Sequence, residues 1–297
     1  MQDQQLMGLL LIPVSPLGVI CNSSIFIASS RIKSLNPSFA ILVATMSAID
    51  LLGSCLFLFY VTPMIVFDLK TWKTASHHCG FMLILAYDNS MNTHILIVFN
   101  RFLAVFMPLS YQKILGTTTT KFLVTLSVLI TLAQIVTFFL IINCHLYYNN
   151  DYWMFYYTDL PICWWYAYNL DTNKVIITAS IGVLINTIVL LKVRRTRKKV
   201  NRSVIHKKKE MNFLKQTYGQ GIYLFIFSII YCFVSILTED HIICFLLTTL
   251  FFNCLFTING LFVITLNSEI RGAIGLDAKK TPGSSVFVES RVSTQVS

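Results

Sequence analysis

Seven long apolar runs punctuate the chain, at 6–29, 38–67, 79–106, 122–142, 175–193, 221–237 and 243–266. About 20 helical residues cross a hydrocarbon core of about 30 Å, so each run predicts a membrane-spanning helix. The runs are continuous, whereas a transmembrane barrel alternates apolar and polar residues over segments of about ten. A β-barrel is excluded. The first run has no basic stretch before it and no obvious small-residue cleavage site, and Arg31 and Lys33 follow it. It is therefore expected to be a retained helix rather than a secretory signal. From Asp277 onward the chain turns polar, with Thr281, Pro282, Gly283, Ser284 and Ser285 together. That composition predicts a flexible tail at 277–297 behind one seven-helix unit at 1–276. The expected fold is an all-α membrane bundle.

Composition agrees. Of 297 residues, 55% are hydrophobic and 12% charged, against roughly 25% charged in a soluble domain. The mean hydropathy is +0.68. Charge then gives the bundle a direction. Of the 23 Lys and Arg, 20 fall in the first, third and fifth connections and the C-terminal segment, eleven of them between Lys192 and Lys215. The opposite face carries Lys70, Lys73 and Lys174 alone, together with Asp3, Asp68, Asp151, Asp159, Asp171, Glu239 and Asp240. The positive-inside bias predicts an outer N-terminus and a cytoplasmic C-terminus. It also accounts for the net charge of +10 without a nucleic-acid partner. The outer segment 144–173 is dense in Tyr and Trp, including Trp164, Trp165 and Tyr168. Such residues form interfacial belts, and they also line ligand pockets.

Polar residues inside spans are expensive and face the bundle interior. Here they include Asn22, Asp50, Asp88, Asn89, Ser90, Asn92, His94, Asn100, Arg101, Asn253 and Asn259. Asn and Ser can act simply as interhelical glue. Asp50, a carboxylate far from either aqueous end, fits that account less well. Asp88 lies at mid-depth in the outer half of the third span, where it can meet a polar ligand or bond to its Asn neighbours.

The inner end of the third span, NRFLAVFMPLSYQKI, resembles that of rhodopsin-like G-protein-coupled receptors. There an acid–Arg–aromatic triplet precedes a Pro and a Tyr at fixed distances. Asn100, Arg101 and Phe102 form the triplet, and Pro108 and Tyr111 follow Arg101 by seven and ten residues. Asn100 replaces the usual acid. Asp50, Ser90, Asn22 and Asn259 match the polar residues of the second, third, first and seventh helices, and together could form a water- or sodium-filled pocket. Gly260 and Val263 replace the Pro and Tyr of the seventh-helix motif, and NSEIRGAI resembles a short amphipathic helix along the inner leaflet. The fourth span lacks Trp, the fifth lacks Pro and the sixth lacks Cys-Trp-x-Pro. With NRFLAVFMPLSYQKI, KKKEMNFLKQTYGQG and INGLFVITLNSEIR, these absences make the chain most similar to nematode serpentine chemoreceptors of class X.

The resemblance implies a plasma-membrane chemosensory receptor, placed in sensory-neuron cilia, that binds a small molecule or peptide outside and activates a heterotrimeric G protein. Arg101 would be the inner switch. Glu210 would be its inactive-state partner or, alternatively, a solvated residue beside Lys207–Lys209. Asp88, Trp164, Trp165 and Tyr168 would be ligand contacts. The resemblance implies a Cys79–Cys163 disulfide, with Cys144 a rival partner for either thiol. No cofactor and no metal are expected, since His77, His78 and Cys79 have no second cluster at ligand spacing. A channel or transporter with Asp50 and Asp88 along an ion path is the alternative. A retinal protein is excluded because no Lys lies between Lys215 and Lys279. An enzyme is not expected, as no Ser/His/Asp or HExxH arrangement occurs.

Overall fold

A computed structural model describes residues 3–32, 36–199, 204–234, 238 and 240–276, with backbone alone at 197–199, 204–213, 232 and 234. Over its described residues, each apolar run lies on a helix. In chain order these are α1 (Asp3–Arg31), α2 (Pro37–Val66), α3 (Ser76–Phe106), α4 (Thr117–Ile141), α5 (Pro161–Thr196), α6 (Val204–Ile229) and α7 (His241–Leu266), followed by the short α8 (Ser268–Ala273). Between α4 and α5 stands a hairpin of β1 (Leu146–Asn149) and β2 (Met154–Tyr157). Among the described residues, α1, α2, α4, α5 and α7 are long and apolar enough to cross a membrane. The chain is a multi-pass helical membrane protein.

α3 has the length as well, 31 residues or about 46 Å, but its composition is more polar. Packing explains this: α3 contacts α2, α4, α5 and β1, so its buried Asp88, Asn89, Ser90, Thr93, His94 and Asn100 face protein. Against the central helices α1, α2 and α7 pack closely. A Cβ on Gly53 would stand 2.7 Å from the Phe256 ring, and one on Gly18 would stand 2.5 Å from both Ser54 Oγ and Thr257 Oγ1. Small residues at such crossings let apolar helices approach without a hydrophobic driving force between them. Phe256 in turn joins Phe57, Phe252 and Phe227 in one aromatic cluster near the hairpin end of the bundle.

The helices are not uniform along their length. Turns of π-helix occupy Phe57–Val61 in α2, Thr137–Ile141 in α4, Ala167–Thr172 in α5, Ile230–Val234 after α6 and Leu246–Leu250 in α7. These five, counted among the described residues, lie toward the hairpin end. In α2 the wide turn leads into Pro63, whose ring would clash with the carbonyl four residues back in a regular helix.

One boundary differs from the sequence expectation. The aromatic stretch after Pro161, expected as loop, is the helical start of α5. Pro161 occupies the first turn, where its fixed φ and missing N–H suit a helix start. The tail at 277–297 lies outside the described residues, as does the side chain of Glu210.

Candidate functional site

Midway through the bundle, α1, α2, α3 and α7 bring their polar residues to one place. Asp50 is 1% exposed, and its Oδ1 accepts a hydrogen bond from Ser90 Oγ at 2.7 Å. The Asn259 amide approaches the same carboxylate. Asn22 Nδ2 donates to the Phe256 carbonyl at 3.0 Å, holding α1 to α7. Asn22, Asp50, Asn259, Gln216 and Gln220 line a cavity of about 10 Å³, room for about one water. Three side-chain oxygens around it, on Asn22, Gln216 and Gln220, are buried without a hydrogen-bond partner. Asn22, Asp50, Ser90 and Asn259 are the four residues that the resemblance to rhodopsin-like receptors groups together. The two glutamines from α6 were missed, because α6 was read for a Trp-Pro landmark that it lacks.

At the end opposite the hairpin, Asn100 Nδ2 donates to Tyr111 Oη at 2.9 Å, and that hydroxyl donates to Asn36 Oδ1 at 3.1 Å. Asn36 also caps α2 by accepting from Ser38 N at 3.0 Å. A neutral relay therefore ties the end of α3, the following loop and the start of α2. Arg101 lies with its guanidinium 4.6 Å from the Phe39 ring centroid. Phe102 stacks on Phe106 at 4.6 Å and packs against Val189, Val193 and Leu214 of α5 and α6. Pro108 is exposed just beyond the end of α3. At the end of α7, Ile270 of α8 is fully buried, and Arg271 Nη1 donates to the Thr265 carbonyl at 2.6 Å.

The hairpin covers the other end. Leu146, Tyr148 and Phe155 are buried beneath it. Tyr148 N donates to Ser76 Oγ at 2.9 Å, and at the tip Thr249 Oγ1 of α7 donates to the Trp153 carbonyl at 3.0 Å. Gly80 makes the seat on α3, since a Cβ there would collide with the Leu146 carbonyl. On the rim, buried Lys73 pairs with Asp68 at 2.6 Å and donates to Gln4 Oε1 at 2.9 Å. Burial, with His77 and His78 nearby, holds the His145 imidazole below its ordinary pKa.

The disulfide expectation is corrected here. Cys163 bonds to Cys144, and Cys79 is a buried free thiol. Cys79 sits 22 residues before Arg101 and is buried in the same core cluster as Cys144 and Cys163. Cys144 leaves α4 at the foot of the hairpin with its Cα 5.5 Å from that of Cys163, within bridging range.

The four expected ligand residues are not gathered together. Trp164, Trp165 and Tyr168 are exposed on the first turns of α5, with Trp164 Nε1 donating to Asp159, in keeping with an interfacial belt. Asp88 is buried and pairs with Lys174 Nζ at 2.7 Å. Lys174 also stands 3.8 Å from Asp171, whose Oδ2 accepts from Tyr157 Oη at 2.9 Å. Burial and the Asp171 carboxylate push the Tyr157 phenol well above its ordinary pKa, keeping it a donor. Lys174, Asp171 and Tyr157 were missed as a group; the only signal was that Lys174 is one of three lysines on an acidic face.

The described residues thus form a multi-pass helical bundle with a polar interior, a hairpin over one end and a tied opposite end. The family described as serpentine type 7TM GPCR chemoreceptor Srx matches residues 12–267, and the chain belongs to it. It is similar to serpentine receptor class X 45 of Caenorhabditis elegans, 25% identical over 93% of this chain and 84% of the relative. Serpentine receptor class X-43 of the same organism is 21% identical over 74% and 69%.

Proposed function

We propose that the chain is a plasma-membrane chemosensory receptor that binds an extracellular ligand beneath the hairpin and activates a heterotrimeric G protein. The observation that carries this reading is membership of the serpentine chemoreceptor family across 12–267. In it, 1–276 forms seven spans with the N-terminus outside, 277–297 is a cytoplasmic tail, and α8 lies along the inner leaflet. The bias of basic residues supports that orientation.

The bundle then works as a two-state device, in which a ligand shifts the population toward the packing it binds better. Arg101 is the inner switch. In the described packing it rests on Phe39 while Asn100 engages Tyr111. Rearrangement of this end would free the guanidinium for a G-protein contact. The Asp50 cavity, with its unpartnered oxygens, suits a water or a sodium ion that favours one packing.

The test is Arg101→Ala in cells responding to an odorant panel. G-protein activation should fall to background with surface expression retained; unchanged coupling would sink the switch assignment. Odorant-evoked currents in cells lacking G proteins would instead install the channel reading.

A further inference from the structure

At the head of α5 two carboxylates share one ammonium. Asp88 Oδ2 lies 2.7 Å from Lys174 Nζ, and Asp171 Oδ1 lies 3.8 Å from it. The cluster is one positive charge short. Asp88 is 3% exposed, and its second oxygen, Oδ1, is buried with no hydrogen-bond partner. A buried anionic oxygen without a donor is costly, and an untethered ammonium in the place of Lys174 Nζ would be free to donate to it as well. Two phenols flank the group: Tyr157 donates to Asp171 at 2.9 Å, and Tyr166, whose hydroxyl accepts from Gln134 at 2.7 Å, interacts electrostatically with Lys174.

We propose that Asp88 and Asp171 form the recognition site for a cationic ligand, an organic amine whose ammonium takes the place that Lys174 occupies. The Lys174 side chain is 32% exposed, so its flexible stem can carry the ammonium toward the polar interface when displaced. No separate cavity is needed, because the incoming ammonium enters the volume that Lys174 leaves. An anion would face two carboxylates, and a neutral molecule that displaced Lys174 would leave Asp88 unpaired, so charge sets the ligand class. Lys174 acts as a tethered competitor at high effective concentration, which holds down affinity in the native chain. Asp88 stands on α3 and Lys174 on α5, so displacement also unfastens the two helices. This last step rests on the receptor reading; the binding site does not.

The experiment uses the full chain in lipid nanodiscs. Propylamine, cyclohexylamine and phenylethylamine are titrated beside phenylacetate and phenylethanol, with calorimetry and thermal unfolding as readouts. At least one amine is expected to bind and stabilise, with the anion and the alcohol silent. Lys174→Ala should bind that amine at least about tenfold tighter, and Asp88→Asn at least about tenfold weaker. If Lys174→Ala does not fold, Asp171→Asn takes its place and should weaken amine binding. Failure of every amine on the native chain and on Lys174→Ala overturns the proposal, as does equal binding of all three charge types. Nucleotide exchange on added G protein is read separately. Amine binding without exchange keeps the site and overturns the receptor reading. Exchange driven by another odorant, with no amine bound and no change in Asp88→Asn, does the reverse.

Discussion

Replacing Tyr111 by Phe removes one hydroxyl and two hydrogen bonds, those linking Asn100 to Asn36. Asn100 sits beside Arg101 at the end of α3, and Asn36 caps the start of α2. Tyr111→Phe should cost about 1–3 kcal/mol, the usual penalty for stranding buried polar groups. It should also raise ligand-independent nucleotide exchange, measurable in the same nanodiscs. Gly260 carries a different constraint. A Cβ there would lie 2.8 Å from Asn22 Oδ1, so Gly260→Ala should displace the Asn22 amide that holds α1 to α7 and lower thermal stability by about 1–3 kcal/mol. His145 gives the pH dependence. Its folded pKa is depressed by burial and by His77 and His78. The folded state therefore binds fewer protons than the unfolded one as pH falls. Stability is full above the unfolded value of about 6.5 and is lost as pH falls through the folded value. A melting series from pH 8 to pH 5 should show that decline, and His145→Gln should flatten it.

Among elements, the hairpin and the head of α5 change most between sequence and structure. Their disulfide closes a segment with a sequence separation of 19, which is worth about 3 kcal/mol in the chain-entropy account. Non-reducing peptide mapping should recover Cys144 with Cys163, and Cys79→Ser should leave that crosslink in place. Recovery of Cys79 with Cys163 would overturn the assignment. Because the bond joins the two feet of the outer segment, the hairpin is moored to α3 by other means: the Ser76 hydroxyl and the glycine seat at Gly80. Gly80→Ala should therefore unseat the hairpin even with the disulfide intact, visible as faster hydrogen exchange in β1.

At the scale of the molecule, the helices were legible because each needs only a local excess of apolar residues. The Asp50 cluster was legible too, since Asn22, Asp50, Ser90 and Asn259 fall where a familiar spacing places them. The lid was not. Asp88 and Lys174 are 86 residues apart, and no periodicity links them. The helical start of α5 was hidden because Tyr and Trp serve equally in a belt, a loop or a helix. The choice between Cys79 and Cys144, both buried, depended on which one the outer segment brings within bridging range of Cys163, a property of packing rather than of spacing.

The five wide turns have a consequence for how such a chain can diversify. A π-turn holds one residue more than the α-turn it replaces, and gaining or losing that residue lets one end of a helix rotate while the other keeps its register. All five sit in the half that bears the hairpin, and the Arg101 end of α3 is regular helix. Single-residue insertions and deletions can therefore re-aim the side chains of one half while the other stays fixed. On the receptor reading proposed above, the slack for changing what is detected then lies at the hairpin end, away from Arg101.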